Sequence, residues 1–224
     1  MSAPIVVVDY HKGNLLSVAR GLSEVGGEAE VTDDPARIAE AAGVVLPGVG
    51  AFEDAMAYLR QSGQDEAILS AIGRGVPFLG ICLGLQLLFE RGDERCDGVL
   101  HGSDDPELWV DGLGVLPGSV SRLRGRLNVT HVGWDQVHLT PHGRVCPLLR
   151  GVPEGANAYF THSYALDEDV DPLVVTCRTH YVRSFASAVW RDNVYGVQFH
   201  PEKSSAVGLT ILRNYVDLVR GGGR

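Results

Sequence analysis

The stretch Val76-Pro77-Phe78-Leu79-Gly80-Ile81-Cys82-Leu83-Gly84-Leu85-Gln86-Leu87-Leu88-Phe89 changes character at Cys82. Residues 76–81 read as a strand and residues 83–91 as a helix, with no loop between them. A strand that passes directly into a helix exposes the residue at the turn on the rim of a sheet, as in the Ser-centred G-x-S-x-G elbow. Gly80 and Gly84 remove side chains that would collide where strand and helix pack so closely. Pro77, Gly80, Gly84 and Gln86 interrupt this longest apolar run, which is too short to span a bilayer.

The same alternation extends back to the start of the chain. Ile5-Val6-Val7-Val8-Asp9 is a continuous β-branched run, the mark of a strand buried on both faces. Asn14 to Val25 has helical spacing and stops at Gly26-Gly27. Glu28 to Thr32 and Gly43 to Pro47 read as strands, and Phe52 to Leu59 and Ala67 to Gly73 as helices. Strands alternating with helices imply an α/β fold: an open, mostly parallel, doubly wound sheet flanked by helices. After residue 98 the texture shifts. Leu113–Val120, Val129–Leu139, Ala158–Tyr164, Leu173–Cys177, Phe185–Trp190 and Asn193–Phe199 read as strands separated by turns. They imply an additional antiparallel or mixed sheet portion in the C-terminal half. Ser204 to Val219 is the last helix, capped by Ser204 or Ser205. No linker rich in Ser or Pro divides residues 1–224, so a single domain is expected.

Bulk properties narrow the function. The 224 residues carry a net charge of −9, which argues against a nucleic-acid partner, because neutralising phosphates needs a basic face. Cys82, Cys96, Cys146 and Cys177 form no C-x-x-C pair and no metal-ligand spacing, so no metal is expected. No phosphate-binding glycine motif is present, and no cofactor is expected. The N-terminus lacks a basic leader and no membrane segment is visible, so the simplest compartment is the cytoplasm.

Three groups carry acyl-transfer chemistry. Cys82 at the elbow is a nucleophile candidate, and a helix N-terminus beside it favours a thiolate. By itself the pentapeptide also fits a buried structural cysteine. His200 ends the run Val194-Tyr195-Gly196-Val197-Gln198-Phe199. Glu202, two positions along an extended backbone, would point to the same side and orient the imidazole toward the thiol. Glu202 also fits a plain role near the start of the last helix. Pro47-Gly48-Val49-Gly50 has the composition of an oxyanion loop, where glycines let backbone N–H groups face a developing charge; a plain turn fits as well.

With these segments together, the chain resembles the class I (triad) glutamine amidotransferases, and more narrowly the glutaminase subunits of imidazole glycerol phosphate synthases. The matching segments are Asp9-Tyr10 with Gly13-Asn14-Leu15, Leu46 to Phe52, Gly80 to Phe89, His131-Val132-Gly133-Trp134, Tyr159 to Tyr164, Phe185 to Val189 and Val194 to Ser204. The resemblance implies that Cys82 attacks the glutamine side-chain amide to form a thioester, with His200 as acid and base and Glu202 holding His200. It implies an oxyanion hole from Gly48, Val49, Gly50 and the N–H of Leu83. It assigns Gln86, Glu94, Ser163 and Tyr164 to holding the glutamine. It also implies a heterodimer in which ammonia passes to a separate (β/α)₈-barrel cyclase subunit of histidine biosynthesis. Such a barrel needs roughly 250 residues of its own. Tyr10, Gly13 and Asn14, at the carboxyl end of the first strand, are candidates for the docking surface, and a tight turn with Asn14 as helix cap fits them equally.

Three features depart from the family pattern: His11-Lys12 replaces a smaller pair, Asp135 stands where Asn is usual, and residues 101–110 look like an insertion. Amidotransferase subunits for anthranilate, aminodeoxychorismate, guanylate or pyridoxal phosphate synthesis would use the same chemistry, and the opening Asp-Tyr, the Pro-Gly-Val-Gly-Ala-Phe stretch and the Gly-Trp segment argue against them.

Overall fold

A computed structural model describes residues 3–96, 109–125 and 129–221. Its first half follows the expected alternation. Strand β1 (Ile5–Val8) leads to α1 (Leu15–Glu24), β2 (Ala29–Thr32), α2 (Pro35–Ala39) and β3 (Gly43–Gly48). Helices α3 (Phe52–Ser62) and α4 (Gln64–Gly73) precede β4 (Phe78–Cys82), which passes directly into α5 (Leu83–Gln86). The second half is built from β5 (Phe89–Gly92), β6 (Val110–Asp111), β7 (Leu116–Arg122), β8 (His131–Leu139), β9 (Ala156–His162), β10 (Tyr164–Leu166), β11 (Val175–His180), β12 (Ser184–Arg191) and β13 (Val194–Val197). Helix α6 (Ser205–Gly221) closes the chain, after a 3-10 turn over Pro201–Lys203.

Nine strands form one sheet in the order β2-β1-β3-β4-β13-β12-β11-β8-β9. The first five are parallel, and the pairs from β13 to β9 are antiparallel. The antiparallel portion therefore extends the parallel sheet. A second sheet, β10-β7-β5-β6, lies against one face. Along β1 the side chains alternate between two cores: Val6 and Val8 join Ile38, Phe52, Met56 and Leu116, while Ile5 and Val7 join Val18, Leu22, Ile211 and Leu212. Helices α1 and α6 thus cover one face, and α2, α3, α4 and the small sheet cover the other. No helix among the described residues is long and apolar enough to cross a membrane.

Three expectations change. The helix expected over 83–91 is a single turn that ends at Gln86, and residues 89–92 are strand. The carbonyls of Leu87 and Leu88 accept from the backbone N–H groups of Leu113 (2.8 Å), Val115 (2.9 Å) and Leu116 (2.9 Å), so they are not free to continue a helix. The strand expected over 158–164 is two strands in different sheets, broken at Ser163. Helix α2 was not expected; Asp34 caps it by accepting from the Ala36 N–H at 2.9 Å, with Pro35 at its first position. Of the expected insertion, residues 101–108 lie outside the described residues. Trp109 stacks on the Arg91 guanidinium, 4.6 Å from the ring centre, and Val110 enters β6.

Candidate active site

Cys82 ends β4 with φ 55° and ψ −109°, a backbone conformation that non-glycine residues rarely adopt. The surrounding glycines make this turn possible. A Cβ on Gly84 would lie 1.7 Å from the Leu46 carbonyl oxygen, and one on Gly80 would lie 2.4 Å from the Gly84 oxygen. Helix α5 has only four residues, so it lacks the macrodipole of a long helix. It contributes the unpaired N–H groups of its first turn, starting with Leu83.

The partner strand delivers the imidazole. β13 runs parallel to β4 with Val197 opposite Ile81, so the residues that follow each strand emerge on the same rim. His200 Nδ1 lies 2.9 Å from Glu202 Oε1, and both side chains are almost fully buried. The carboxylate accepts, so Nδ1 carries the hydrogen and Nε2 is left for the sulfur. No hydrogen bond closes on Nε2 among the described residues. Glu202 reaches His200 through the 3-10 turn over Pro201–Lys203, not along an extended backbone. Burial works to lower the His200 pKa, but Cys82 and Glu202 together raise it to about 9.

Gly48 is in register with Cys82 on the other side of β4. A Cβ there would meet the Tyr10 hydroxyl at 2.5 Å and the Leu83 Cβ at 2.7 Å. Gly50 has φ +98°. The Val49 N–H donates to the Tyr10 hydroxyl at 3.1 Å, so it is engaged away from any incoming oxygen. Tyr10 is 1% exposed, so its side chain lies behind the rim and cannot form part of an outer docking surface. Gly13 is exposed and Asn14 half-buried; Asn14 occupies the N-cap of α1 without a side-chain capping bond.

A pocket of about 390 Å³ opens in front of Cys82. Val49, Gly50, Leu83, Gln86, Glu94, Ser163 and Tyr164 line it, joined by Ala51, Thr130, Thr161 and His162. Gln86 donates both amide hydrogens to the protein, to the Tyr164 carbonyl (2.9 Å) and to Gln198 Oε1 (3.0 Å), which leaves its carbonyl oxygen for a ligand. The Glu94 carboxylate accepts from the Phe52 N–H at 3.2 Å, at the start of α3, yet burial pushes its pKa up to about 7. The Ser163 hydroxyl lies 3.2 Å from that of Thr130.

Two histidines follow one another here: His162 on the pocket wall and His131 behind it. His162 Nδ1 lies 2.8 Å from the Tyr164 carbonyl, so it donates there, and its Nε2 lies 3.1 Å from His131 Nδ1. Burial lowers the His162 pKa to about 3, which keeps it neutral. His131 is stacked on Phe160 and on Tyr181, and its Nε2 lies 3.2 Å from Asp135 Oδ2. In the sequence Gln198 carries no separate signal, because the register of β13 on β4 brings it beside the cysteine; His162 reaches the pocket from β9, at the far edge of the sheet, and no local signal in the sequence shows that.

A cysteine on a strained elbow, an imidazole hydrogen-bonded to a carboxylate and a glycine loop thus lie on one sheet rim, the groups that thiol-dependent acyl transfer requires. The family profile "Glutamine amidotransferase class-I" matches residues 6–218, and the chain belongs to that family. It is 49% identical over 220 residues to "Imidazole glycerol phosphate synthase subunit HisH" of Moorella thermoacetica, covering 98% of this chain and 97% of that protein. The protein of the same description from Syntrophotalea carbinolica is 46% identical over 221 residues, covering 96% of this chain and all of that one. Among solved structures, one described as "Crystal structure of glutamine amidotransferase" superposes with a TM-score of 0.70 at 18% identity, covering 96% of this chain and 99% of that one, a likeness of fold.

Proposed function

We propose that this chain is the glutaminase subunit of an imidazole glycerol phosphate synthase, acting in histidine biosynthesis in the cytoplasm. The Cys82 thiol gives its proton to His200 Nε2, and the sulfur attacks the side-chain carbonyl carbon of glutamine. The oxyanion is held by the Leu83 N–H and by the Val49 N–H once that peptide turns toward the site. His200 returns the proton to the nitrogen as the C–N bond breaks, and ammonia leaves. His200 then takes a proton from water, which attacks the thioester; glutamate departs and the sulfur is regenerated. Gln86, Glu94, Ser163 and Tyr164 hold the substrate. Ammonia passes to a separate (β/α)₈-barrel cyclase bound as a heterodimer.

The observation that carries this reading is the His200–Glu202 pair, buried and hydrogen-bonded at 2.9 Å, with its free nitrogen on the rim of the Cys82 elbow. Full-length similarity to two HisH proteins supports the pathway. The test is Cys82→Ala in the complex with the cyclase. Glutamine-dependent synthesis should vanish while ammonium salts still support turnover. Equal loss with both nitrogen sources would remove the assigned role.

A further inference from the structure

Gln198 is 0% exposed and lies one residue beyond the end of β13. Because Val197 pairs with Ile81, Gln198 comes beside Cys82. Its Nε2 is 3.6 Å from the Cys82 sulfur, within hydrogen-bond range for that atom. The orientation of this carboxamide is determined by its neighbour. Gln86 must present its NH₂ to the Tyr164 carbonyl, at 2.9 Å, and the same NH₂ meets Gln198 at 3.0 Å. An NH₂ on Gln198 at that position would set two donors face to face, so Gln198 offers its oxygen there and turns its NH₂ to the sulfur.

We infer that Gln198 is a catalytic residue of this site, donating an N–H to the Cys82 sulfur whenever that sulfur carries negative charge. The inference rests on the reading of Cys82 as the nucleophile. A thiol is a weak acceptor and a thiolate a strong one, so the bond matters most when the sulfur is ionised. That happens twice: before attack on the amide, and again when the sulfur leaves the thioester as water adds. His200 cannot serve as a steady donor, because it passes its proton to the departing nitrogen and then deprotonates water. Gln198 gains and loses no proton in any step. The resting thiol has an alternative partner in the Thr161 carbonyl, 3.8 Å from the sulfur. That carbonyl suits the thiol and repels the thiolate, so the carboxamide is the contact that favours the charged form.

The test uses the full chain with iodoacetamide, followed by peptide mapping. Gln198→Met keeps the length and removes the donor. Gln198→Glu keeps the acceptor for Gln86 and replaces the donor with a second acceptor. A hydrogen bond to a charged group contributes enough to predict about 10- to 100-fold slower alkylation of Cys82 at neutral pH in either variant. The urea unfolding midpoint of each variant reports that it is folded. Wild-type alkylation rates in both folded variants would overturn the inference. Should neither variant fold, the wild-type chain decides: S-methylthiolation of Cys82 should shift the Gln198 side-chain amide resonances, and their failure to move would equally overturn it. A different failure, wild-type labelling that shows no preference for Cys82 over Cys96, Cys146 and Cys177, would strike the nucleophile assignment itself.

Discussion

Tyr10 and Glu94 show how single side chains set the state of this site. The Tyr10 hydroxyl holds the Val49 N–H at 3.1 Å and is buried under Gly48. One oxyanion donor contributes on the order of 100- to 1,000-fold in rate, whereas one neutral hydrogen bond contributes about 1 kcal/mol net. With the Val49 N–H in its proposed oxyanion role, the latch is weak relative to the catalysis it would withhold. Tyr10→Phe should raise the glutaminase turnover of the isolated chain by about fivefold, the equivalent of that bond. An unchanged rate would show that the Val49 peptide is held by something else. Glu94 works through charge. Burial pushes its pKa up to about 7, so it loses its proton as pH rises through neutrality. The carboxylate can pair with the ammonium of glutamine, and the neutral acid cannot. The KM for glutamine should therefore fall as pH rises from 6 to 8, by up to about tenfold per unit below the pKa. Glu94→Gln should flatten that profile; a slope that survives the substitution would assign it to another group.

Elements place these side chains more tightly than composition suggests. The elbow between β4 and α5 leaves 1.7 Å between the Leu46 carbonyl oxygen and a Cβ on Gly84. The oxygen is backbone at the centre of the sheet, so neither side can yield. Gly84→Ala should cost about 3 kcal/mol or more, read as a lowered urea midpoint. Gly63→Ala, where a Cβ meets nothing within 4 Å, separates steric from conformational cost, because its strain comes from φ +73° alone. Equal losses in the two variants would refute the steric account. The elbow was legible in the sequence because both glycines and the abrupt change from strand to helix are local signals. The parallel strands β1, β3 and β4 were legible for the same reason. Residues 89–92 were not: Leu87, Leu88 and Phe89 are all buried, and the choice of strand over helix is made by residues 113–116 bonding their carbonyls. Helix α2 does carry its start signal in Asp34-Pro35, but five residues are too few for a periodic pattern. The adjacency of β13 and β4 has no local signal at all, and it is this pairing that joins His200 and Gln198 to Cys82.

On the scale of the whole molecule, the rim around Cys82 is where the proposed cyclase has to dock, since ammonia must leave the pocket without meeting bulk water. Two large apolar side chains on β8 stand out to solvent there, Val132 at 59% and Trp134 at 52% exposure. Trp134 makes an edge contact with Tyr159, whose ring lies 5.6 Å from the Lys203 ammonium, and the Tyr159 carbonyl accepts from the His200 N–H at 2.8 Å. The surface tryptophan and His200 are thus linked through a single residue, Tyr159. A third exposed apolar residue, Leu16 at 66%, stands beside Gly13 and Asn14 at the start of α1, the docking candidates read from the sequence. The two locations make different predictions. Tryptophan is among the side chains most enriched at interface hot spots, where truncation weakens binding by about 2 kcal/mol or more. Trp134→Ala should therefore raise the Kd for the cyclase by about 30-fold or more. Alkylation of Cys82 in the isolated chain should be unaffected, because Trp134 does not line the pocket. Leu16→Ala should change the Kd by less than about fivefold. Calorimetric titration of both variants against the cyclase would decide between them. The reverse ranking would move the docking centre from β8 to the start of α1 and would leave the exposed tryptophan without a role in assembly.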